Sequence, residues 1–180
     1  MSADQTLQTA DTPPARPEDP GRRLPRIVGV VRIMLGLVLL WAFADKIAGL
    51  GGPTPEDRSV LSGASATQGY LASVDGTFAD VFTAMAGHPV VDALFLIGLG
   101  GSGLALVLGV ATRLAAAGTV AVMGPLYLSS LPLEQNPLID QHLMYCVLAV
   151  GLAALGAGNV LGLGRAWART RLVRAVPILR

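Results

Sequence analysis

Six ionisable side chains stand at the ends of this chain's apolar runs, and their types are those that move protons or hold anions. Asp45 and Lys46 close the first run, His88 and Asp92 open the second, and Asp140 and His142 open the last. A seventh, Arg32, lies inside the first run, IVGVVRIMLGLVLLWAFADKIA at 27–48. Histidine titrates near neutral pH, lysine and arginine donate hydrogen bonds to anions, and a carboxylate can orient either kind of donor. Gathered at the mouth of an apolar bundle, such groups can exchange protons with a quinone ring or hold a polar head group. His142, Lys46 and Asp140 are the candidate catalytic residues. Arg32, Asp45, Asp92 and His88 are the candidates for binding a cofactor. The two histidines lie in different segments without i,i+4 pairing, so they form neither a zinc nor a haem motif, and no metal is assigned.

Each candidate also has a plainer role. Arg32 can snorkel to the nearer head groups and Lys46 to those on the far side. His88, just before Pro89, can be a loop residue. Asp92 and Asp140 can be N-terminal residues of helices, where the helix dipole favours anions. At 100° per residue, Arg32, Gly36, Leu39, Phe43 and Lys46 share one face of a helix, while Asp45 points elsewhere, near Trp41.

The elements that must position these residues are apolar. Hydrophobic residues make up 52 % of the 180-residue chain and charged residues 14 %, against about 25 % in soluble domains. Mean hydropathy is +0.58. This composition predicts an all-α membrane protein, a bundle of four transmembrane helices. A helix needs about 20 apolar residues to cross a bilayer core. The expected spans are 27–49, 91–112, 114–133 and 141–163, within a membrane domain at 22–164. Asp92 and Arg113 enclose twenty uncharged residues, and Arg113 and Glu134 enclose another twenty, in which Pro125 is expected to bend the helix.

Residues 1–21 are polar and Pro-rich, with no apolar segment of the secretory type, and read as a disordered cytoplasmic tail. Residues 50–89 read as an extracytoplasmic loop. Within it Phe78, Val81, Phe82 and Met85 recur at helical spacing, predicting one or two short interfacial helices, with an irregular loop as the alternative. Residues 165–180 form a basic tail. Arg22, Arg23, Arg26, Arg113 and the five C-terminal arginines fall on one side, against Lys46 and Arg58 on the other. The positive-inside rule then places both termini in the cytoplasm, in a bacterial inner membrane.

Small residues mark where spans can pack closely, since lipid is as apolar as leucine. Gly98, Ser102, Ala105 and Gly109 form one stripe, and Cys146, Ala149, Ala153 and Gly156 another. The alternative is that small residues are merely abundant in an Ala- and Gly-rich chain. A net charge of +1 supplies no field to recruit nucleic acid, and Cys146 is the only cysteine, so no disulfide framework exists within one chain. GLGGSG at 98–103 has closely spaced glycines but no preceding strand, so it is not a phosphate loop.

Four segments together resemble a known family. RIMLGLVLLWAFADKIAGL is similar to the opening of DoxX/DoxD-type membrane proteins, with an Arg, a Gly four residues on, and a Lys after an apolar run. ATQGYLA resembles the Thr-x-Gly-aromatic-Leu segment of the DoxD-like branch. LGLGGSGLALVLGVATRLAA resembles the second-span signature. NPLIDQHLMY with GLAALGAGNVLGLGRAW resembles the fourth span, with its Asp-x-His and Gly-rich exit. The resemblance covers about 26–168, and departs from the pattern at Phe43 and Ala44, where small residues are usual. It implies a four-helix membrane protein, some relatives of which are subunits of thiosulfate:quinone oxidoreductase. The expected function is therefore a subunit linked to quinone-dependent redox or respiratory electron transfer, with quinone as the expected cofactor. If the chain is an enzyme at all, it is part of a quinone-linked oxidoreductase. The rival reading is a non-catalytic accessory subunit of a larger respiratory membrane complex, and a small-molecule carrier is a third. The expected partners are the lipid bilayer and larger redox subunits.

Overall fold

Helix α1 spans Arg26–Ala48 in the computed structural model, which describes residues 26–133 and 136–176. The expected tail at 1–21, together with Arg22, Arg23, Glu134 and Arg180, lies outside the described residues. After α1 come two 3-10 turns, Glu56–Arg58 and Val60–Ser62, and two short helices, α2 at Gln68–Leu71 and α3 at Ala79–Met85. The longer helices α4 (Pro89–Leu108), α5 (Thr112–Ser129) and α6 (Gln141–Ala154) follow. A 3-10 turn at Ala157–Asn159 and two short helices, α7 (Gly164–Trp167) and α8 (Arg171–Ala175), complete the described chain. Among the described residues there is no strand, so the fold is all-α.

The helix limits follow from local chemistry. His88 caps α4, its Nδ1 accepting from the Val90 amide, and Pro89 fills the first helical position, where no backbone donor is needed. Gly109 ends α4 in the left-handed region, at φ 72°. Three residues later α5 has begun. It continues through Pro125 to Ser129. Asp140 caps α6, accepting from the Leu143 amide at 2.9 Å. This last long helix stops at Ala154, short of the 163 expected from hydropathy. Gly156 adopts φ 65°, and the chain coils into the 157–159 turn instead.

The packing order is α1 on α4, α4 on α5 and α5 on α6, with α6 and the 157–159 turn returning to α1. Neighbours run antiparallel. Along α1 the glycine contacts pass from Arg32 opposite Gly109, through Gly36 opposite Gly103, to Phe43 opposite Gly100. A Cβ on Gly36 would stand 2.8 Å from the Gly103 carbonyl oxygen, so these two backbones meet as closely as only glycine permits. The core unites Leu35 and Leu39 with Leu99 and Leu106, Val122 and Met123, and Cys146, Ala149 and Leu152. Both small-residue stripes lie on inward faces: Ser102, Gly109, Cys146 and Ala149 are buried, and Ala105 and Ala153 pack against the core.

The outer faces are apolar as well. Ile27, Met34 and Trp41 on α1, Leu94 and Ile97 on α4, Leu114 on α5 and Val147 on α6 are each more than half exposed. Helices α1 and α4 are long and apolar enough to cross a membrane by length and composition. Antiparallel threading gives the bundle two ends. One carries the α4–α5 turn and the 155–163 segment, and is called the turn end. The other carries the 49–88 and 130–140 segments, and is called the loop end.

Candidate functional site

At the turn end, Arg32 is fully enclosed, with 0 % of its surface exposed. Its Nη1 donates to the Leu106 carbonyl at 2.8 Å, and its Nη2 donates to Val160 and Leu161 at 3.2 and 3.0 Å. These carbonyls lie near the C-terminal end of α4 and just beyond α6, where backbone dipoles present their negative ends. Glycine makes the room. A Cβ on Gly162 would stand 2.9 Å from both Nη atoms, and one on Gly109 would overlap Nη1. In place of the ligand expected at Arg32, or of a side chain snorkelling outward, the structure puts the chain's own carbonyls. Arg32 thus ties α1 to the exits of α4 and α6.

At the loop end, three hydrogen-bond anchors fasten the 49–88 segment to the helices. Asp45 is 2 % exposed and accepts from the Gly52 and Thr54 amides at 3.1 and 2.9 Å. The helical wheel had it beside Trp41, which is 59 % exposed; the loop folds over that side of the helix end and covers the carboxylate. Asp92 accepts from Ser65 Oγ at 2.9 Å, and from the Thr67 amide and hydroxyl at 3.0 and 2.6 Å. Tyr70 and Ser129 share a hydrogen bond at 2.9 Å, joining α2 to the end of α5. A small apolar cluster of Leu71, Val74 and Phe82 supports the segment from within. The loop contains short helices, α2 and α3, with Phe82 turned inward and Val81 outward.

Between these anchors lies a cleft of about 440 Å³, lined by Lys46, Thr54, Arg58, Ser65, Gln68 and Tyr70, among others. Sequence reasoning found Lys46. It missed Arg58, Thr54 and Tyr70 as its neighbours, because only the fold of the loop brings them beside the end of α1. The sole signal was the polar run PTPEDR following a helix that ends in a lysine.

Asp140 and His142 form the third group. Asp140 Oδ2 and His142 Nδ1 are 2.5 Å apart, with side chains 16 % and 17 % exposed. Burial alone would raise the Asp140 carboxyl, but the Leu143 amide and the hydrogen bond and charge of His142 outweigh it and hold the group below its ordinary value. Neither residue lines the Lys46 cleft, and among the described residues no hydrogen bond or ion pair links them to Lys46. His88 is exposed and serves as the α4 cap. No three His, Cys, Asp or Glu side chains come together among the described residues in a way that could hold a metal.

The structure therefore sets Lys46 in a cleft whose walls Asp45 and Asp92 anchor through the intervening loop, and pairs Asp140 with His142 on another helix. Comparison of the chain with protein-family models, with curated proteins and with solved structures gives no match.

Proposed function

We propose that the chain is a four-span membrane protein of the DoxX-like type, acting as a subunit in quinone-linked redox chemistry. In this reading α1, α4, α5 and α6 cross the bilayer. The apolar outer faces of all four helices support it, because exposed apolar surface on this scale marks contact with lipid or protein. Helix α6, about 21 Å long at 1.5 Å per residue, is continued by the 155–163 segment toward the level of Arg32. The charge distribution orients the bundle. Arg26, Arg113, Arg165, Arg169, Arg171 and Arg174 lie at the turn end, which is cytoplasmic by the positive-inside rule in a bacterial inner membrane. The loop end faces outward, and both termini are cytoplasmic.

The observation that carries the redox reading is the Asp140–His142 pair. A histidine oriented by a carboxylate, partly open at the mouth of an apolar bundle, can pass a proton to or from a quinone oxygen. The quinone supplies the electron chemistry; the chain's own part is to hold the imidazole in one orientation, with its other nitrogen turned toward the quinone oxygen. His142→Ala is expected to lower quinone-dependent turnover of the purified assembly about 100-fold, while leaving the assembly intact. Unchanged turnover would sink this reading.

A specific observation favours the second reading, a non-catalytic accessory subunit of a larger respiratory complex. Arg32, Asp45 and Asp92 are each engaged by the fold's own hydrogen bonds, which leaves few groups for chemistry. Gentle detergent extraction and mass spectrometry separate the two: co-purified redox subunits, with turnover indifferent to His142, support the accessory role.

A further inference from the structure

We infer that the loop-end cleft is an anion-binding site for a tetrahedral oxoanion, either free or carried on a lipid head group. The walls hold two cations, Lys46 and Arg58, and no Asp or Glu among the described residues. Neither cation has a hydrogen-bond or ion-pair partner among those residues, although acids are common in the surrounding loop. Of the other polar groups on the wall, the Gln68 amide and the Thr54 hydroxyl keep a donor to offer, whereas Ser65, Tyr70 and Ser73 spend their hydroxyl protons on Asp92, Ser129 and the Tyr70 carbonyl. Thr54 is 3 % exposed, and its hydroxyl is buried without a hydrogen-bond partner. Buried polar groups are ordinarily paired, so this wall carries one unspent hydroxyl proton beside the two cations.

The cleft is also built rather than incidental. Asp45 holds the Thr54 backbone, Asp92 holds Ser65, and Ser129 holds Tyr70. Each wall is thereby fastened to the end of a different long helix before any ligand arrives, which lowers the ordering cost of binding. These anchors also explain the missing carboxylates. Asp45 and Asp92 turn toward backbone amides and hydroxyls, so they form no ion pair with Lys46 or Arg58. The volume, about 440 Å³, suits a small molecule or a head group. An ammonium and a guanidinium together supply charge-assisted donors, the usual pairing for phosphate and sulfate oxygens.

The test uses the full chain in a neutral detergent. Inorganic phosphate and sulfate are titrated by calorimetry, and native mass spectrometry records anionic phospholipid retained from vesicles of phosphatidylglycerol and phosphatidylcholine. Saturable binding of the inorganic ions identifies a free oxoanion; retained phosphatidylglycerol that inorganic phosphate does not displace identifies a head group. Either supports the site, provided that Lys46→Gln and Arg58→Gln each weaken it by about tenfold or more while Arg113→Gln, at the opposite end, does not. Lys46→Arg should retain binding, and thermal unfolding of each variant confirms that the fold survives. Absence of both kinds of binding, or binding indifferent to Lys46 and Arg58, overturns the inference. His142 is no part of the cleft, so this test and the quinone test fail independently.

Discussion

The two ends of the bundle handle buried polarity in opposite ways. At the turn end a single cation, Arg32, is surrounded by carbonyls of the backbone and closed off completely. At the loop end two carboxylates, Asp45 and Asp92, take amide and hydroxyl donors, and the cations beside them are left open. The chemistry is the same, a charged side chain satisfying orphan backbone groups near helix ends. What differs is the sign of the charge that is consumed. A lock made with arginine leaves nothing exposed. A lock made with aspartate leaves the neighbouring lysine and arginine free for something else.

This contrast can be broken from either side. The largest effect is expected at the closed end. Arg32→Met keeps most of the volume but strands the Leu106, Val160 and Leu161 carbonyls. A loss of about 3–5 kcal/mol in unfolding free energy, measured in detergent, is expected from three broken hydrogen bonds, one buried and two partly buried. A near-neutral result would mean that the α1 tie to the exits of α4 and α6 is incidental.

At the open end the effect should be smaller and local. Asp45→Ala releases the Gly52 and Thr54 amides and is expected to cost about 1–3 kcal/mol. Hydrogen exchange should rise in 50–56 with little change in the helices. Uniform loosening of the bundle would show that Asp45 supports more than its loop.

The smallest effect concerns Asp140. Its folded-state carboxyl sits below the ordinary value, so its contribution is fully present above the ordinary carboxylate range and is lost as pH falls through the lowered value. His142→Ala removes one of the hydrogen bonds responsible, so the Asp140 titration, followed by NMR, should move upward. No movement would show that the Leu143 amide alone sets it.

Much of the fold was legible in the residues. Apolar runs bounded by charges located the four long helices, because burying or lipid-facing a helix requires an uninterrupted greasy stretch. Glycine and alanine stripes located the inward faces of α4 and α6, since only small residues let backbones approach. The end of α6 was not legible. Hydropathy continues to Gly164, but Gly156 takes a left-handed turn, and the carbonyls beyond it are used by Arg32. The burial of Asp45 was not legible, because a wheel describes one helix and cannot include a loop that folds back over its end.

By itself the sequence determined the helical class, the apolar outer faces and the sidedness of charge, all properties of composition and period. Only tertiary structure decided what each charge does. Arg32 meets carbonyls more than 70 residues away, and Lys46 shares a cleft with Arg58 and Thr54 through a loop whose path rests on two aspartates. Such pairings depend on where separate segments come to rest in space, and no local spacing encodes that.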